Sequence, residues 1–455
     1  GTNEYVAITV IDGAHLDYAT NSLPQTFTAA ITCHTISHYP HSSCSLFYYT
    51  AFGLYKGFCH ELPLYPWEIG YLCPERQGSP KYPSTKAFFG QYHKAADTFS
   101  TMARRENMQP QSQGRLKKVF PGANTPEGFF SFYDSLIDPC ANMIIIIKGG
   151  PGIGKSTLIK RIGSALLDMG YDTEYACCAH DPASYDGVVV AKLGLALFDG
   201  TPPHVLEPRF PGIVERIINL GDFLDRKKLT PHKQEVVETL REVSVLFERA
   251  FRHLKEARII HDDWEAYNIQ ALDFGCLNCI AEELSSDSLH STEISPNPGK
   301  PKHLFAGAIT ASGPVHHLQT VVGHASRRYI LRGEPGTGKS TIVRKVADKA
   351  LCHGFDVEFY HCPLDPQKVD RVIETGQAVS TRIISKYESV ICDARQRFGQ
   401  AFQRAVQCLH EAKQEYDKVQ AIYSESMDFS AVERLGDRIL GEVLELERKI
   451  REATA

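Results

Sequence analysis

Long apolar runs are missing from this 455-residue chain, in which the longest is MIIII at residues 143–147. A helix that crosses a bilayer needs about 20 apolar residues, so the sequence predicts no membrane span. A basic segment followed by an apolar one is also missing from the first residues, so we expect no secretory signal. Because 49 Lys and Arg face 54 Asp and Glu, the net charge of −5 does not favour binding to nucleic acid or an anionic membrane.

Regular cysteine spacing is a further absence. Thirteen cysteines are scattered along the chain without the pattern of a disulfide framework. This usage favours a reducing compartment, and we expect a cytoplasmic protein.

Charged residues and methionine are scarce in residues 1–101. This segment holds 12 Asp, Glu, Lys or Arg residues and 18 aromatic residues. The other 354 residues hold 91 Asp, Glu, Lys or Arg residues and 27 aromatic residues. The first methionines of the chain are Met102 and Met108. We predict that residues 1–110 are a non-homologous extension, either disordered or an upstream segment translated in frame, and that a chain beginning at Met108 behaves like the full chain. Six cysteines and histidines of this segment match no zinc-binding spacing: Cys33, His34, Cys44, Cys59, His60 and Cys73.

The remaining sequence repeats one plan twice. FPGANTPEG at residues 120–128 recurs as FAGAITASG at residues 305–313, an offset of 185. GYDTEYACCAHDP at residues 170–182 recurs as GFDVEFYHCPLDP at residues 354–366, an offset of 184. Two homologous halves are therefore predicted.

The second half is the shorter one. FERAFRHLKEA at residues 247–257 aligns with FQRAVQCLHEA at residues 402–412 at an offset of only 155, so 29 residues are lost between about residues 373 and 395. A segment rich in Ser, Pro and Gly separates the halves and is typical of a linker. We predict a first half at residues 116–284, a linker at residues 285–302 and a second half at residues 303–455.

Each half contains the pattern G-x-x-x-x-G-K-[ST], as KGGPGIGKST around Lys155 and as RGEPGTGKST around Lys339. Glycines let such a loop turn its N–H groups towards phosphates, the lysine reaches the β- and γ-phosphates, and the hydroxyl of Ser156 or Ser340 binds Mg²⁺. The pattern predicts ATP and Mg²⁺ as cofactors of both halves. The predicted nucleotide-binding residues are those of the first loop, Gly149, Gly150, Pro151, Gly152, Ile153, Gly154, Lys155, Ser156 and Thr157, and of the second loop, Gly333, Glu334, Pro335, Gly336, Thr337, Gly338, Lys339, Ser340 and Thr341.

The surroundings of the loops have the form that the pattern requires. MIIII before the first loop and RRYIL, residues 327–331, before the second predict buried strands. Residues 156–170 predict an amphipathic helix that ends at Gly170, and DTEYACC predicts a strand after it. We therefore predict an α/β fold of tandem P-loop NTPase domains, each with a parallel sheet, flanking helices and an appended α-helical segment.

Catalysis requires an acid at a strand end to hold the Mg²⁺ shell. LGLALFD, residues 193–199, is an apolar run ending in Asp199, which is the form of a Walker B strand and makes Asp199 the predicted metal ligand. At an offset of 184 Asp199 falls opposite Ile383, inside the shortened region. SVICD at residues 389–393 contains a substitute acid but is better interpreted as helix, so the second half is predicted to lack the metal-binding acid.

The general base is not assigned by the sequence, because Gly200 stands where many ATPases place a glutamate. Asp181, Asp186 and His204 are candidates, and we predict Lys155, Asp199 and Asp181 as the catalytic set. The structural alternatives are an Asp-Pro turn at Asp181 and a helix or turn cap at Asp186.

Two further features have ordinary explanations. Cys276 and Cys279 form a C-x-x-C pair, but Ala431 and Arg434 occupy the matching positions of the second half, which favours a plain helix face. The amphipathic segments near the end of each half are predicted to pack on their own half by default.

FPGANTPEGFFSFYDSL, KGGPGIGKST, HDPASYDGVVV, FDGTPPHVLEPRFPGIVERIINLGDF and GEPGTGKST together resemble an uncharacterised family of bacterial tandem P-loop ATPases over roughly residues 117–448. The resemblance implies ATP and Mg²⁺ binding in both halves. The chain departs from the family at its N-terminal extension and in the shortened second half.

The leading functional prediction is an ATP-binding, Mg²⁺-dependent ATP-hydrolysing protein with an active first site and a binding or regulatory second site. A P-loop kinase acting on a small molecule and a nucleotide-gated interaction protein with negligible turnover are the alternatives. Nucleoside triphosphate is the expected partner; nothing indicates nucleic acid or a membrane, and no protein partner is indicated.

Overall fold

The computed structural model describes residues 4–12, 31–35, 113–138, 140–289, 295–323, 325, 327–364 and 380–454. The predicted extension at residues 1–110 lies outside the described residues except for two strands, β1 (Glu4–Asp12) and β2 (Ile31–Thr35). Of the Cys and His candidates there, Cys44, Cys59, His60 and Cys73 lie outside, and only the backbone of Cys33 and His34 is described.

The first half is an α/β unit around a six-stranded sheet. Its strands are β3 (Leu116–Val119), β6 (Met143–Lys148), β7 (Thr173–Cys177), β8 (Tyr185–Val190), β9 (Leu195–Asp199) and β10 (Glu215–Asn219). They lie in the order β10-β6-β9-β8-β7-β3. A hairpin of β4 (Gly122–Thr125) and β5 (Gly128–Ser131) stands beside this sheet.

The α/β class is confirmed, but the prediction of a parallel sheet is wrong at one strand. β8 runs antiparallel to both β7 and β9, so the sheet is mixed. The reason is chain length: residues 178–184 join β7 to β8 and residues 191–194 join β8 to β9. A parallel pair needs a crossover of about a dozen residues or more.

The local predictions around the first loop are confirmed. β6 is buried between β9 and β10, to both of which it is parallel. Helix α1 (Lys155–Asp168) buries its apolar side against the sheet and ends before Gly170, which adopts a φ of 89° as the C′ residue.

The second half repeats part of this plan. It contains the parallel pair β11 (Pro301–Leu304) and β15 (Val357–Tyr360), the hairpin of β12 (Gly307–Thr310) and β13 (Gly313–His316), and β14 (Arg327–Gly333) followed by its own helix. Residue 383, opposite Asp199 in the repeat, lies in a long helix, so the counterpart of β9 is not formed at that position.

Strand β1 lies where the second half lacks its own strand. β1 is parallel to β14, with Asp12 beside Gly333, and antiparallel to β2. β9 has the same relation to its neighbours, being parallel to β6 and antiparallel to β8. The N-terminal strands therefore extend the second sheet in the arrangement that the first half builds from β8 and β9.

Eight helices are described, of which six have 14 or more residues. In chain order they are α1, α2 (Arg226–Leu229), α3 (Lys233–Ile269), α4 (Phe274–Ser288), α5 (Leu318–Val322), α6 (Lys339–Cys352), α7 (Thr381–Glu425) and α8 (Phe429–Thr454). Within the described part of the chain, no helix has the length and apolar character needed to cross a membrane.

α3 and α7 contact the hairpin of their own half, as expected, through β4 and β12, but they also run along each other, and α4 and α8 pack on the opposite half. α3 and α7 run along each other through a core that contains Trp264 and Phe398, both fully buried, with alanines that allow close approach. α4 packs against α6 of the second half, and α8 packs against α1 of the first half. The amphipathic periodicity identified the helices correctly, but it carries no information about which half covers their apolar faces.

The two halves meet at matching positions. Phe120 and Phe305, which are repeat equivalents, exchange backbone hydrogen bonds of 2.7 and 2.8 Å. Beside them lies a charge cluster in which each lysine faces both glutamates, at N–O distances of 2.6 to 3.6 Å; it consists of Lys117, Glu174, Lys302 and Glu358. These residues are also repeat equivalents, so the halves are related by an approximate two-fold axis.

Candidate functional site

The first loop joins β6 to α1 in a conformation that requires its glycines. Gly149, Gly152 and Gly154 have φ values of 144°, 70° and 94°, a region that side chains with a Cβ rarely adopt. The N–H groups of Gly152, Ile153 and Gly154 have no hydrogen-bond acceptor among the described residues. Together with the start of α1, they form a site suited to an anion.

Lys155 is held at the mouth of this loop. Its Nζ donates to the carbonyl oxygens of Gly149 and Gly150 at 3.0 and 2.7 Å and lies 3.4 Å from a carboxylate oxygen of Asp199. The next residue, Ser156, accepts a hydrogen bond of 2.8 Å from the N–H of Tyr185. An ammonium group, a hydroxyl group and free N–H groups thus converge on one place.

Asp199 ends β9, as predicted, and is positioned by the strand pairing. Its Cα lies beside that of Ile147, the second-last residue of β6, so the carboxylate reaches the loop. The N–H and Oγ1 of Thr201 donate to Asp199 Oδ1 at 3.0 and 2.5 Å and fix the side chain. Of the three predicted catalytic residues, the structure brings Lys155 and Asp199 together.

Asp181, the third predicted catalytic residue, lies in a turn. Its Oδ1 accepts from the N–H of Ala183 at 3.2 Å, and its other oxygen is 3.7 Å from Lys413 Nζ on α7. This is the Asp-Pro turn that the sequence offered as the structural alternative.

Asp186 and His204, two of the candidates that the sequence offers for the general base, lie beside Asp199. One ligand-type atom from each of the three residues lies within 4.8 Å of the others, and all three side chains are buried. Asp186 lies on β8, so the alternative of a cap does not apply. Tyr133, from a short 3₁₀ helix after β5, donates its hydroxyl to Asp186 Oδ2 at 3.0 Å. No sequence pattern links Tyr133 to this site.

The loop that carries His204 is anchored by the last residue of β6. Lys148 Nζ donates to the carbonyl oxygens of Gly200 and Leu206 at 2.9 and 2.7 Å, one on either side of His204. The imidazole stacks on the ring of Tyr133, with centroids 4.7 Å apart and planes at 11°. The ring is therefore fixed by packing.

Burial controls the electrostatics of this group. Burial raises the pKa of Asp186, and the charge of Asp199 adds to the effect, whereas His204 and the hydrogen bond from Tyr133 act in the opposite direction. Burial lowers the pKa of nearby His180 to about 4. Burial also raises the pKa of the Cys178 thiol, so this cysteine is an unreactive packing residue.

The second loop shares the positive φ angles of its last two glycines with the first loop but has different partners. Gly336 and Gly338 have φ values of 75° and 79°, and Lys339 Nζ donates to the carbonyl oxygens of Gly333 and Glu334. The Glu334 carboxylate pairs with Arg395 of α7 at 2.6 Å. Among the described residues, the groups of side chains able to hold a metal are the one beside the first loop and one on α3.

Helices of the opposite half contact the outside of each loop. Ser424 of α7 donates to the carbonyl of Gly152 at 2.8 Å, and Asn268 of α3 donates to the carbonyl of Pro335 at 2.7 Å. A Cβ at Gly152 would lie 2.5 Å from the carbonyl oxygen of Gln420 on α7. The helices of the opposite half therefore bind carbonyl groups of the loops.

Cys276 and Cys279 lie on α4, as the sequence predicted for a plain helix face, and both are free. Comparison of the chain with protein families, curated proteins and solved structures gives no match.

Proposed function

We propose that this chain is an ATP-binding, Mg²⁺-dependent ATPase built from tandem P-loop NTPase halves, with turnover at the first loop and nucleotide binding or regulation at the second. The observation that carries the proposal is the position of Lys155. Its ammonium group is held by loop carbonyls, 3.4 Å from an acid at the end of the adjacent parallel strand. This is the arrangement expected of a loop that binds a triphosphate.

The residues of the first loop fit ATP and Mg²⁺. The free N–H groups of Gly152 to Gly154 would bind phosphate oxygens, and Lys155 would exchange its carbonyl partners for the β- and γ-phosphates. Ser156 and Asp199 would hold Mg²⁺, which neutralises charge on the transferred phosphoryl group. The second loop offers Lys339 and Ser340 for the same purpose, and Ser340 is the predicted ligand there.

An interaction protein gated by nucleotide is the second candidate, and one observation favours it. α7 contacts the second loop through Arg395 and the first loop through Ser424, so a single helix touches both proposed nucleotide sites. A movement of α7 that depends on the bound nucleotide would change the surface that the protein presents to a partner. A cytoplasmic location belongs to either proposal and is supported by the free cysteines of the described residues.

Binding of a fluorescent ATP analogue and release of phosphate, measured for the Lys155→Ala and Lys339→Ala chains, test the proposal. We expect Lys155→Ala to abolish turnover, because the first loop has the adjacent acid, and Lys339→Ala only to modulate it. Equal loss from both variants would contradict the asymmetry. Undiminished nucleotide binding by the double variant would refute binding at these loops. Binding without any turnover would favour the gated interaction protein.

A further inference from the structure

His204 presents both ring nitrogens to the interior of the first half without a hydrogen-bond partner. Neither Nδ1 nor Nε2 is bonded, although the side chain is only 5 % exposed. The carboxylate oxygen Asp186 Oδ2 is 4.0 Å from Nε2, which is longer than a hydrogen bond. An unsatisfied buried polar group costs about 1 to 3 kcal/mol, so a ligand for this ring is expected.

The two carboxylates next to His204 are already oriented by other groups. Tyr133 donates to Asp186 from one side, and Thr201 donates twice to Asp199 from the other. Such outer hydrogen bonds are typical of side chains that bind metals, because they set the direction of the remaining oxygen atoms.

Charge in this pocket is unbalanced. Two buried carboxylates, Asp186 and Asp199, face the single ammonium group of Lys155, and only Asp199 is close to it. If Lys155 moves to the phosphates of a nucleotide, Asp199 loses the positive charge that lies 3.4 Å from it. A divalent cation within reach of both carboxylates would restore the balance.

We propose that Asp186, Asp199 and His204 form a binding site for a divalent transition cation of the Mn²⁺ type. One imidazole nitrogen and two carboxylates suit Mn²⁺, Fe²⁺ or Zn²⁺, whereas Mg²⁺ and Ca²⁺ take oxygen ligands. The three ligand atoms lie within 4.8 Å of one another, and the residues come from β8, β9 and the loop after β9. Three separate chain segments therefore fix the site before any metal binds.

The cation supplies the first loop with a way to activate water, a role to which the sequence assigns no single residue. A bound divalent cation lowers the pKa of a coordinated water, which serves where Gly200 replaces the usual glutamate. This role rests on the proposed function. Binding of the cation to the nucleotide-free chain does not, and the two can be tested separately.

The experiment is a titration of the full chain with Mn²⁺, without nucleotide and in excess Mg²⁺. Free Mn²⁺ is measured at each step from its electron paramagnetic resonance signal. We expect one Mn²⁺ bound per chain. His204→Gln should weaken binding about 100-fold or more, and Tyr133→Phe, which removes only an outer hydrogen bond, about 10-fold. If circular dichroism shows that His204→Gln does not fold, the Mn²⁺ affinity of the Tyr133→Phe chain tests the proposed site instead.

A matched control comes from the other candidate group, His261, Asp262 and Glu265 on α3. Its residues lie on one helix, and Asp262 is bound by Arg258 at 2.9 and 3.0 Å, so His261→Gln should leave Mn²⁺ binding unchanged. The proposed site would be refuted if Mn²⁺ affinity were unchanged in Tyr133→Phe or in a folded His204→Gln chain. It would also be refuted if the chain bound no Mn²⁺ in excess Mg²⁺. Loss of nucleotide binding at the first loop with Mn²⁺ binding retained, as expected for Lys155→Ala, shows that the two are separable.

Discussion

Replacing Glu174 with glutamine perturbs the charge cluster between the two halves while keeping the shape of the side chain. Glu174 is only 15 % exposed and lies 3.1 Å from Lys117 and 2.8 Å from Lys302. In Glu174→Gln, both lysines face only Glu358, so buried positive charge is left uncompensated. Breaking a buried pair in this way costs about 3 to 5 kcal/mol of the free energy of unfolding.

The pKa of Glu174 leads to a similar magnitude. Burial would raise this pKa, but the attraction of Lys117 and Lys302 is larger and lowers it from 4.5 to about 2. At about 1.4 kcal/mol per pKa unit, this difference corresponds to roughly 3 to 4 kcal/mol. Since the pKa is lower in the folded state, the stabilisation is complete above pH 4.5 and is lost as the pH falls towards 2.

The assay is equilibrium unfolding in urea, followed by circular dichroism and by the fluorescence of Trp264, which is fully buried between α3 and α7. Asp134→Asn, which breaks the exposed pair with Arg209, is the control and should cost under about 1 kcal/mol. A loss below 1 kcal/mol for Glu174→Gln at pH 7, or a loss that persists unchanged at pH 2, would refute the reasoning.

Two further predictions concern the contacts of the loops. Ser424→Ala and Asn268→Ala each remove one hydrogen bond to a loop carbonyl, worth about 0.5 to 1.5 kcal/mol. We expect Ser424→Ala to change nucleotide affinity at the first loop, measured with a fluorescent ATP analogue in a Lys339→Ala chain. We expect Asn268→Ala to change nucleotide affinity at the second loop, measured in the same way in a Lys155→Ala chain. The reverse pattern would contradict the contact of each loop with a helix of the opposite half. Removing residues 1–107 deletes β1, the strand paired with β14. We therefore expect weaker nucleotide binding at the second loop of the Lys155→Ala chain, which replaces the expectation from the sequence that a chain beginning at Met108 behaves like the full chain. Unchanged binding would show that β1 does not support that loop.

The first loop and its flanking elements could be predicted because their signals are local. β6, the glycines and α1 follow one another within about 30 residues, and each has its own residue pattern. The direction of β8 depends on short connections on both of its sides. Its apolar residues predict a strand, but they do not give its orientation.

The remainder of the site depends on long-range packing. Tyr133 reaches Asp186 across 53 residues of chain, and Ser424 reaches Gly152 across 272. An amphipathic helix shows that one face will be buried, yet either half could cover it. Only the folded chain shows that α8 packs on the first half and that α7 contacts both halves.

The exchange of helices has a consequence for the order in which the protein is synthesised. The second loop is contacted by Asn268, which precedes Pro335 by 67 residues, so its covering helix has already been made when that loop leaves the ribosome. The first loop waits for Ser424, 272 residues later, which at about 5 to 20 residues per second takes roughly 15 to 55 s. A nascent chain therefore displays its first loop uncovered through most of translation, and this loop is completed only when α7 has been made.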